Sequence, residues 1–286
     1  MQHPEYQHIP VSLSENEFNA FILPHLSKGT RGPESKVSAH RLFNYILYFL
    51  YTGCQWSMIP IEKSKNSKKE IHYSNIFRKF KKWCADNSFK KAFICSVLHL
   101  DKLNMLDLSI LHGDGTTTAA KKGGDNIGIN GHKKMKGDKV VAVVDRNVNI
   151  ITPFTRAAGN TAETTLLGDV IVQLKNMFSL MGKPLSGRTM SLDAGYDSRK
   201  NRKSVFNSGM VPNIKSVNRK RKKAKPGPKR IYSDEIFQER FRTVERAFAW
   251  EDKFKRLLLR FEFKSSHHFN LKLIAFTLIN LRHFCG

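Results

Sequence analysis

The stretch Leu108-Ser109-Ile110-Leu111-His112-Gly113-Asp114-Gly115-Thr116-Thr117-Thr118 decides how the rest of the chain is read. Its aliphatic and β-branched residues give it the composition of a strand. Its centre breaks that composition. Asp114 stands between two glycines, where a buried strand normally carries an apolar residue. A carboxylate there is costly unless it is paired or holds a cation. Small neighbours let another backbone, a metal or a phosphate come close. Gly-Asp-Gly is equally good turn chemistry. Taken alone, the stretch leaves both readings open.

Composition narrows the partners. The chain has 286 residues, 40% of them hydrophobic, which is enough for one large core or two smaller ones. Lysine and arginine number 49 against 24 acids, giving a formal charge of +25 and a pI near 10.0. That excess goes beyond what solubility needs and points to a polyanion. Nucleic acid leads over an anionic membrane surface, because no basic amphipathic anchor stands out. Cys54, Cys84, Cys95 and Cys285 are widely spaced without a CxxC pair, as expected of reduced, mostly buried thiols in a cytosolic protein. The N-terminal residues lack the charge and apolar run of a signal peptide. No apolar stretch of about 18 residues suggests a membrane span.

Outward from the opening stretch, residues 1–105 read as helical. Ser14 and Glu17 form a capping-box pattern before Phe18, Phe21 and Ile22. Leu42, Tyr45, Ile46, Phe49 and Leu50 recur with helical spacing, and Thr52-Gly53 closes that helix. Two more helices are predicted over His72–Trp83 and Phe89–Leu100. Their basic outer faces suit a helical DNA-binding module, or simply solvate the helices.

After residue 105 the pattern becomes strands. A Gly- and Lys-rich loop covers Lys121–Gly137, with Lys133, Lys134 and Lys136 placed to touch phosphates. Lys139–Val144 is a nearly continuous apolar strand. Asp145-Arg146-Asn147 turns it, and Val148–Thr155 is expected to return as its hairpin partner. Thr161 opens a helix with Leu166, Leu167, Val170, Ile171, Leu174, Met177 and Phe178 on one face. Arg188–Leu192 is a short strand ending in Asp193-Ala194-Gly195-Tyr196-Asp197-Ser198, where Asp197 or Ser198 caps the next helix. Met210–Ile214 is a further strand. Residues 215–230 hold nine basic residues and no acid, a solvated loop that also suits DNA contact. A long helix is expected from Ser233, with Phe237, Phe241, Val244 and Phe248 as its stripe and Glu245 beside it. It continues as a basic, leucine-rich segment to Arg260, and Leu271–Phe284 reads as a core helix.

Three carboxylates stand at suspicious places: Asp114 mid-strand, Asp193 at a strand end, and Glu245 at the edge of a buried helix face. If the strands are neighbours and the helix packs on the sheet, the three converge. Hard oxygen donors with open positions suit Mg²⁺ or Mn²⁺ rather than zinc. Two such ions serve phosphodiester chemistry. Singly, each acid has an ordinary alternative: a turn for Asp193, or an ion pair with Arg242 for Glu245.

These motifs, taken together, resemble bacterial insertion-sequence transposases of the DDE type, in the superfamily typified by insertion sequences four and five. The resemblance runs through Tyr51-Thr52-Gly53-Cys54-Gln55-Trp56, Asp114-Gly115-Thr116, Val143-Val144-Asp145 to Gly159-Asn160, Asp193 to Ser198, and Val244-Glu245-Arg246-Ala247-Phe248-Ala249-Trp250. One departure stands out. The family places Tyr, Arg and Lys at set intervals around its glutamate. Here those positions hold Gln238, Phe241 and Asp252, with Arg240, Arg242 and Lys253 out of register.

The resemblance implies an α/β RNase H-like catalytic domain, a mixed sheet flanked by helices, over residues 106–286, behind a helical N-terminal DNA-binding domain over 1–105. It implies catalytic, metal-holding Asp114, Asp193 and Glu245 with two Mg²⁺ or Mn²⁺ ions. It also implies binding to double-stranded transposon ends and target DNA, strand cleavage and strand transfer, and a homodimer or larger synaptic assembly. The location expected is the bacterial cytoplasm, at the nucleoid when acting. Lys220, Arg221, Lys222, Lys223, Arg242 and Lys253 are the expected DNA contacts. A nuclease without strand transfer, or an inactive basic DNA-binding protein, would share the same motifs.

Overall fold

The computed structural model describes residues 8–28, 35–63, 67–131, 134–152, 155–216 and 231–285. In chain order its helices are α1 (Glu15–Phe21), α2 (Ala39–Thr52), α3 (Tyr73–Ala85) and α4 (Ser88–Lys102), followed by strands β1 (Ile110–Ala120), β2 (Gly128–Asn130), β3 (Met135–Val144) and β4 (Thr155–Ala158). Next come α5 (Glu163–Leu180), β5 (Thr189–Leu192), α6 (Arg199–Asn207), β6 (Val211–Ile214), α7 (Asp234–Glu239), α8 (Val244–Glu251), β7 (Leu259–Arg260) and α9 (Ser265–Leu281). The chain forms two compact units. One comprises Met1–His99, Thr118–Ile127 and Ala249–Gly286, the other Leu100–Thr117 and Gly128–Phe248.

Local chemistry explains the helices of the first unit. Ser14 and Glu17 make the reciprocal capping box that starts α1. Ser38 caps α2, and Gly53 ends it in the left-handed region at φ 72°, where a side chain is strained. The helix α9 is buried on nearly every side from Ser265 to Leu281, so apolar all-round composition does mark a core helix here. Asn280 of α9 donates to the Ser96 hydroxyl of α4 at 3.1 Å. Lys272 pairs with Glu251 inside this core.

The second unit is built on the sheet, whose strand order is β2-β3-β1-β5-β6 with β4 beside β3. It is mixed. The pairs β2–β3 and β3–β4 are antiparallel, whereas β1–β5 and β5–β6 are parallel. Strand β3 is buried from Gly137 to Val144, which accounts for its continuous apolar run. The buried face of α5 is Leu166, Leu167, Val170, Ile171, Leu174, Met177 and Phe178, the residues its 3.6-residue periodicity selects. Ser198, not Asp197, caps α6 by accepting from Asn201 N–H.

Three expectations fail for long-range reasons. The hairpin partner of β3 is Thr155–Ala158, not a run from Val148. Asp145 is buried and binds the N–H groups of Asn149 (2.7 Å) and Asp107 (3.0 Å), while Val148 takes φ 63°. This carboxylate-organised loop interrupts the ladder, leaving one bridge between Val144 and Ile150. The long helix from Ser233 is broken. A 3₁₀ turn over Arg240–Arg242 and Thr243 (φ −117°, ψ −90°) separate α7 from α8, so Phe237 and Val244 are buried while Phe241 is 56% exposed. The segment before Arg260 is a 3₁₀ turn and β7, not a basic helix. Leu259 and Arg260 pair with Ala119 and Ala120 of β1. The buried Arg260 guanidinium donates to the carbonyls of Asp125, Glu262 and Phe263, partners that an isolated helix would not offer.

All four cysteines are free, but only Cys285 is buried. Among the described residues, no helix is long and apolar enough to cross a membrane.

Candidate active site

Strand register brings the first two acids together. In the parallel β1–β5 pair, His112 lies opposite Ser191. Two residues beyond that last paired position stand Asp114, still within β1, and Asp193, just past the end of β5. Asp193 caps the 3₁₀ turn Ala194–Tyr196, its Oδ1 accepting the Gly195 N–H at 3.0 Å. The third acid in the cluster is Glu163, in the first turn of α5. One carboxylate oxygen from each of Asp114, Glu163 and Asp193 lies within 4.8 Å of the others, and all three residues are half-buried.

Two cations reach into this cluster. Arg240 Nη2 donates to Asp114 Oδ2 at 2.6 Å, while Asp114 Oδ1 accepts the Gly115 N–H at 2.8 Å. Lys139 Nζ of β3 lies 3.1 Å from Glu163 Oε1 and also donates to the Thr161 carbonyl at 3.2 Å. Asp193 has no lysine or arginine partner among the described residues. Glu245 sits at the start of α8 with its side chain 44% exposed, and Arg240 Nη1 lies 3.8 Å from its Oε1. It is therefore tied to the site through Arg240, outside the close carboxylate group.

The electrostatics follow from that crowding. Burial pushes the Asp114 carboxyl up to about 6, with Asp193 and Glu245 adding to the effect and Arg240 and the Gly115 N–H opposing it. Burial and then Glu163 raise Asp193 against the pull of Arg240. Tyr196 is fully buried, and its hydroxyl has no hydrogen-bond partner among the described residues. Burial, and after it Glu163, Asp114 and Asp193, hold its proton on. His112 is buried, 3.5 Å from Glu239 Oε2, and burial keeps its ring neutral. Glu239 is itself held by a forked pair of bonds from Arg146 at 2.7 and 3.0 Å.

The glycines around Asp114 serve packing. A Cβ on Gly113 would meet Leu192 Cδ2 at 2.7 Å and Met190 Cε at 2.8 Å, and one on Gly115 would meet Glu163 Cδ at 2.9 Å. The room expected there for a metal or phosphate is filled by side chains.

Sequence reasoning missed two residues of this site. Glu163 carried no signal, because an acid in a helix's first turn is routine. Arg240 was passed over because it stands five residues before Glu245, where the family's spacing places its arginine four before. Of the expected DNA contacts, Arg242 is exposed in the sheet-bearing unit and Lys253 is exposed in the other. Lys220, Arg221, Lys222 and Lys223, most of the 215–230 loop, and Lys133 lie outside the described residues.

An all-oxygen carboxylate set, incompletely neutralised and adjoining an unpaired buried hydroxyl, fits a hard divalent cation better than a soft one. The fold and the acids together define an α/β domain, a mixed sheet with helices, that carries a carboxylate cluster of the kind that holds such ions. A family model described as the transposase DDE domain matches residues 105–281, so the chain belongs to that family. Among solved structures, the chain is similar to the Mos1 transposase paired-end complex with left transposon end, at 10% identity and a TM-score of 0.27, covering 65% of this chain and 61% of that one. It is also similar to a pre-cleavage Mos1 transpososome, at 10% identity and a TM-score of 0.28, covering 89% and 79%. The chain thus spans less than two thirds of the first of these. No curated protein matches.

Proposed function

We propose that this chain is a DNA transposase that binds the terminal inverted repeats of a mobile element, cuts at their ends, and joins them to target DNA. The observation carrying the proposal is the meeting of Asp114 of β1 with Asp193, just past the end of the parallel neighbour β5, in a chain of the DDE transposase family. Asp114, Asp193 and Glu245 are the proposed catalytic carboxylates, and Mg²⁺ or Mn²⁺ the proposed cofactor, as two ions. When bound, such ions activate the attacking oxygen and stabilise the leaving one.

The chain's own groups prepare that chemistry. Asp114 presents its oxygens from within β1 and Asp193 from just past the end of β5, where little reorganisation is needed. Arg240 fixes the Asp114 carboxylate and spans towards Glu245. In the cutting step a water oxygen bonds to phosphorus, the bond from phosphorus to the 3′-oxygen breaks, and a 3′-hydroxyl and a 5′-phosphate result. In the joining step that 3′-hydroxyl bonds to a target phosphorus and displaces the target's own 3′-oxygen. No protein nucleophile takes part. Residues 1–105 and the basic segment 215–230 are proposed to grip DNA, with Lys220, Arg221, Lys222, Lys223, Arg242 and Lys253 as contacts. Two ends must be held at once, which calls for a homodimer or larger assembly at the nucleoid.

The test is a labelled duplex carrying the element's end, incubated with Mg²⁺ and a target plasmid. Wild type is expected to yield both nicked and joined products. Asp114→Asn and Asp193→Asn are expected to lose cleavage by roughly 100-fold or more while binding the duplex within about threefold. Full cleavage by either variant overturns the site, and cleavage without joined product reduces the activity to a nuclease.

A further inference from the structure

We propose that Glu163 is a metal-holding carboxylate of this site, acting with Asp114 and Asp193. The inference rests on the metal-dependent reading above and extends it to a residue outside the three acids that the family resemblance implies.

Proximity alone would not carry the point, since acids cluster for many reasons. Three further observations do. First, neutralisation within the cluster is incomplete. Arg240 pairs with Asp114 and Lys139 with Glu163, while Asp193 has no cationic side-chain partner among the described residues. Three carboxylates within 4.8 Å thus face two cations, and like charges so close are unfavourable without another positive charge. Second, the Tyr196 hydroxyl is fully buried and, among the described residues, unpaired, in the field of the same three acids. A buried hydroxyl without a partner is costly, and an ion with its bound water beside Glu163 would supply one. Third, Glu163 is seated, not loose. Lys139, itself anchored on the Thr161 carbonyl, holds one side of it, and Gly115 leaves the space that its carboxylate occupies. Glu245, by contrast, has a substantially exposed side chain and lies outside the close carboxylate group, with Arg240 Nη1 3.8 Å from its Oε1.

The test uses the full chain, free of DNA, with Mn²⁺ as the probe and calorimetry as the readout. Glu163→Gln is nearly isosteric and keeps an acceptor for Lys139. It is expected to weaken Mn²⁺ binding at least tenfold, while Asp169→Asn, an exposed acid on the same helix, leaves it unchanged. Circular-dichroism melting in EDTA confirms that each variant is folded. Gly115→Ala acts from outside the residue: its new methyl displaces the Glu163 carboxylate and is expected to weaken Mn²⁺ binding severalfold. If Asp114→Asn and Asp193→Asn lose Mn²⁺ but Glu163→Gln binds within twofold of wild type, the role of Glu163 is overturned and the metal site stands. If Asp114→Asn and Asp193→Asn also bind as wild type does, the metal site itself falls and takes this inference with it.

Discussion

Arg240 and Asp114, 126 residues apart in sequence, meet through a 2.6 Å bond from Nη2 to Oδ2, with the two side chains only 8% and 14% exposed. A guanidinium thereby occupies one oxygen of the carboxylate at the centre of the site. Breaking such a buried pair leaves an uncompensated charge, which typically costs about 3–5 kcal/mol. Arg240→Ala is expected to lose about that much stability in EDTA, read from urea unfolding. Because the cluster then carries more negative charge, Mn²⁺ is expected to raise the melting temperature more in this variant than in wild type. An equal or smaller rise would show that Arg240 does not oppose the cluster's charge.

Gly113 and Gly115 flank the same aspartate but face different neighbours. At Gly113 a methyl runs into Leu192 and Met190 on the adjoining strand, an overpacking that typically costs about 1–3 kcal/mol. Gly113→Ala is expected to lower the midpoint of urea unfolding while leaving Mn²⁺ affinity within about twofold, given that Asp114 keeps its partners. A large loss of affinity at unchanged stability would mean that Gly113 makes room for the ion after all.

Acid sensitivity is predicted for the helical unit. Arg256 donates to Glu262 Oε1 from Nε at 2.8 Å, and His268 Nδ1 lies 3.4 Å from Oε2. Burial alone would raise this carboxyl, but the neighbouring His268 and the bonded Arg256 prevail and hold it below its usual 4.5. A depressed carboxyl contributes stability that is fully present above its unfolded pKa and lost as pH falls through its folded one. Wild-type stability should therefore fall with pH below about 4.5, and Glu262→Gln should be weaker at neutral pH with a flatter acid limb. Parallel slopes in the two proteins' urea midpoints against pH would refute the linkage.

Lys272 and Glu251 form an ion pair with side chains 2% and 5% exposed. Lys272→Met alone is expected to cost about 3–5 kcal/mol by stranding Glu251, and Lys272→Met with Glu251→Leu to recover most of it. Recovery is measured against wild type by chemical denaturation at neutral pH. A double variant no more stable than the single would show that the pair does more than neutralise charge.

Much of this protein was written locally. Capping chemistry at Ser14 and Glu17, the left-handed Gly53, the apolar face of α5 and the all-round apolar α9 all report nearest-neighbour preferences, and those survive folding. The two aspartates were legible for the same reason, since each interrupts the composition of its own strand or strand end. What only the tertiary structure decided depends on partners far away in sequence. The pairing of β1 with β5 brings Asp114 close to Asp193. The return of α5 onto the sheet turns an unremarked first-turn glutamate into their neighbour. The 3₁₀ turn over Arg240–Arg242 brings Arg240 onto Asp114, 126 residues away in sequence. The buried Asp145 loop and the buried Arg260 override local preference in the same way, because a satisfied charge in the interior outweighs the propensity of a few residues for helix or strand.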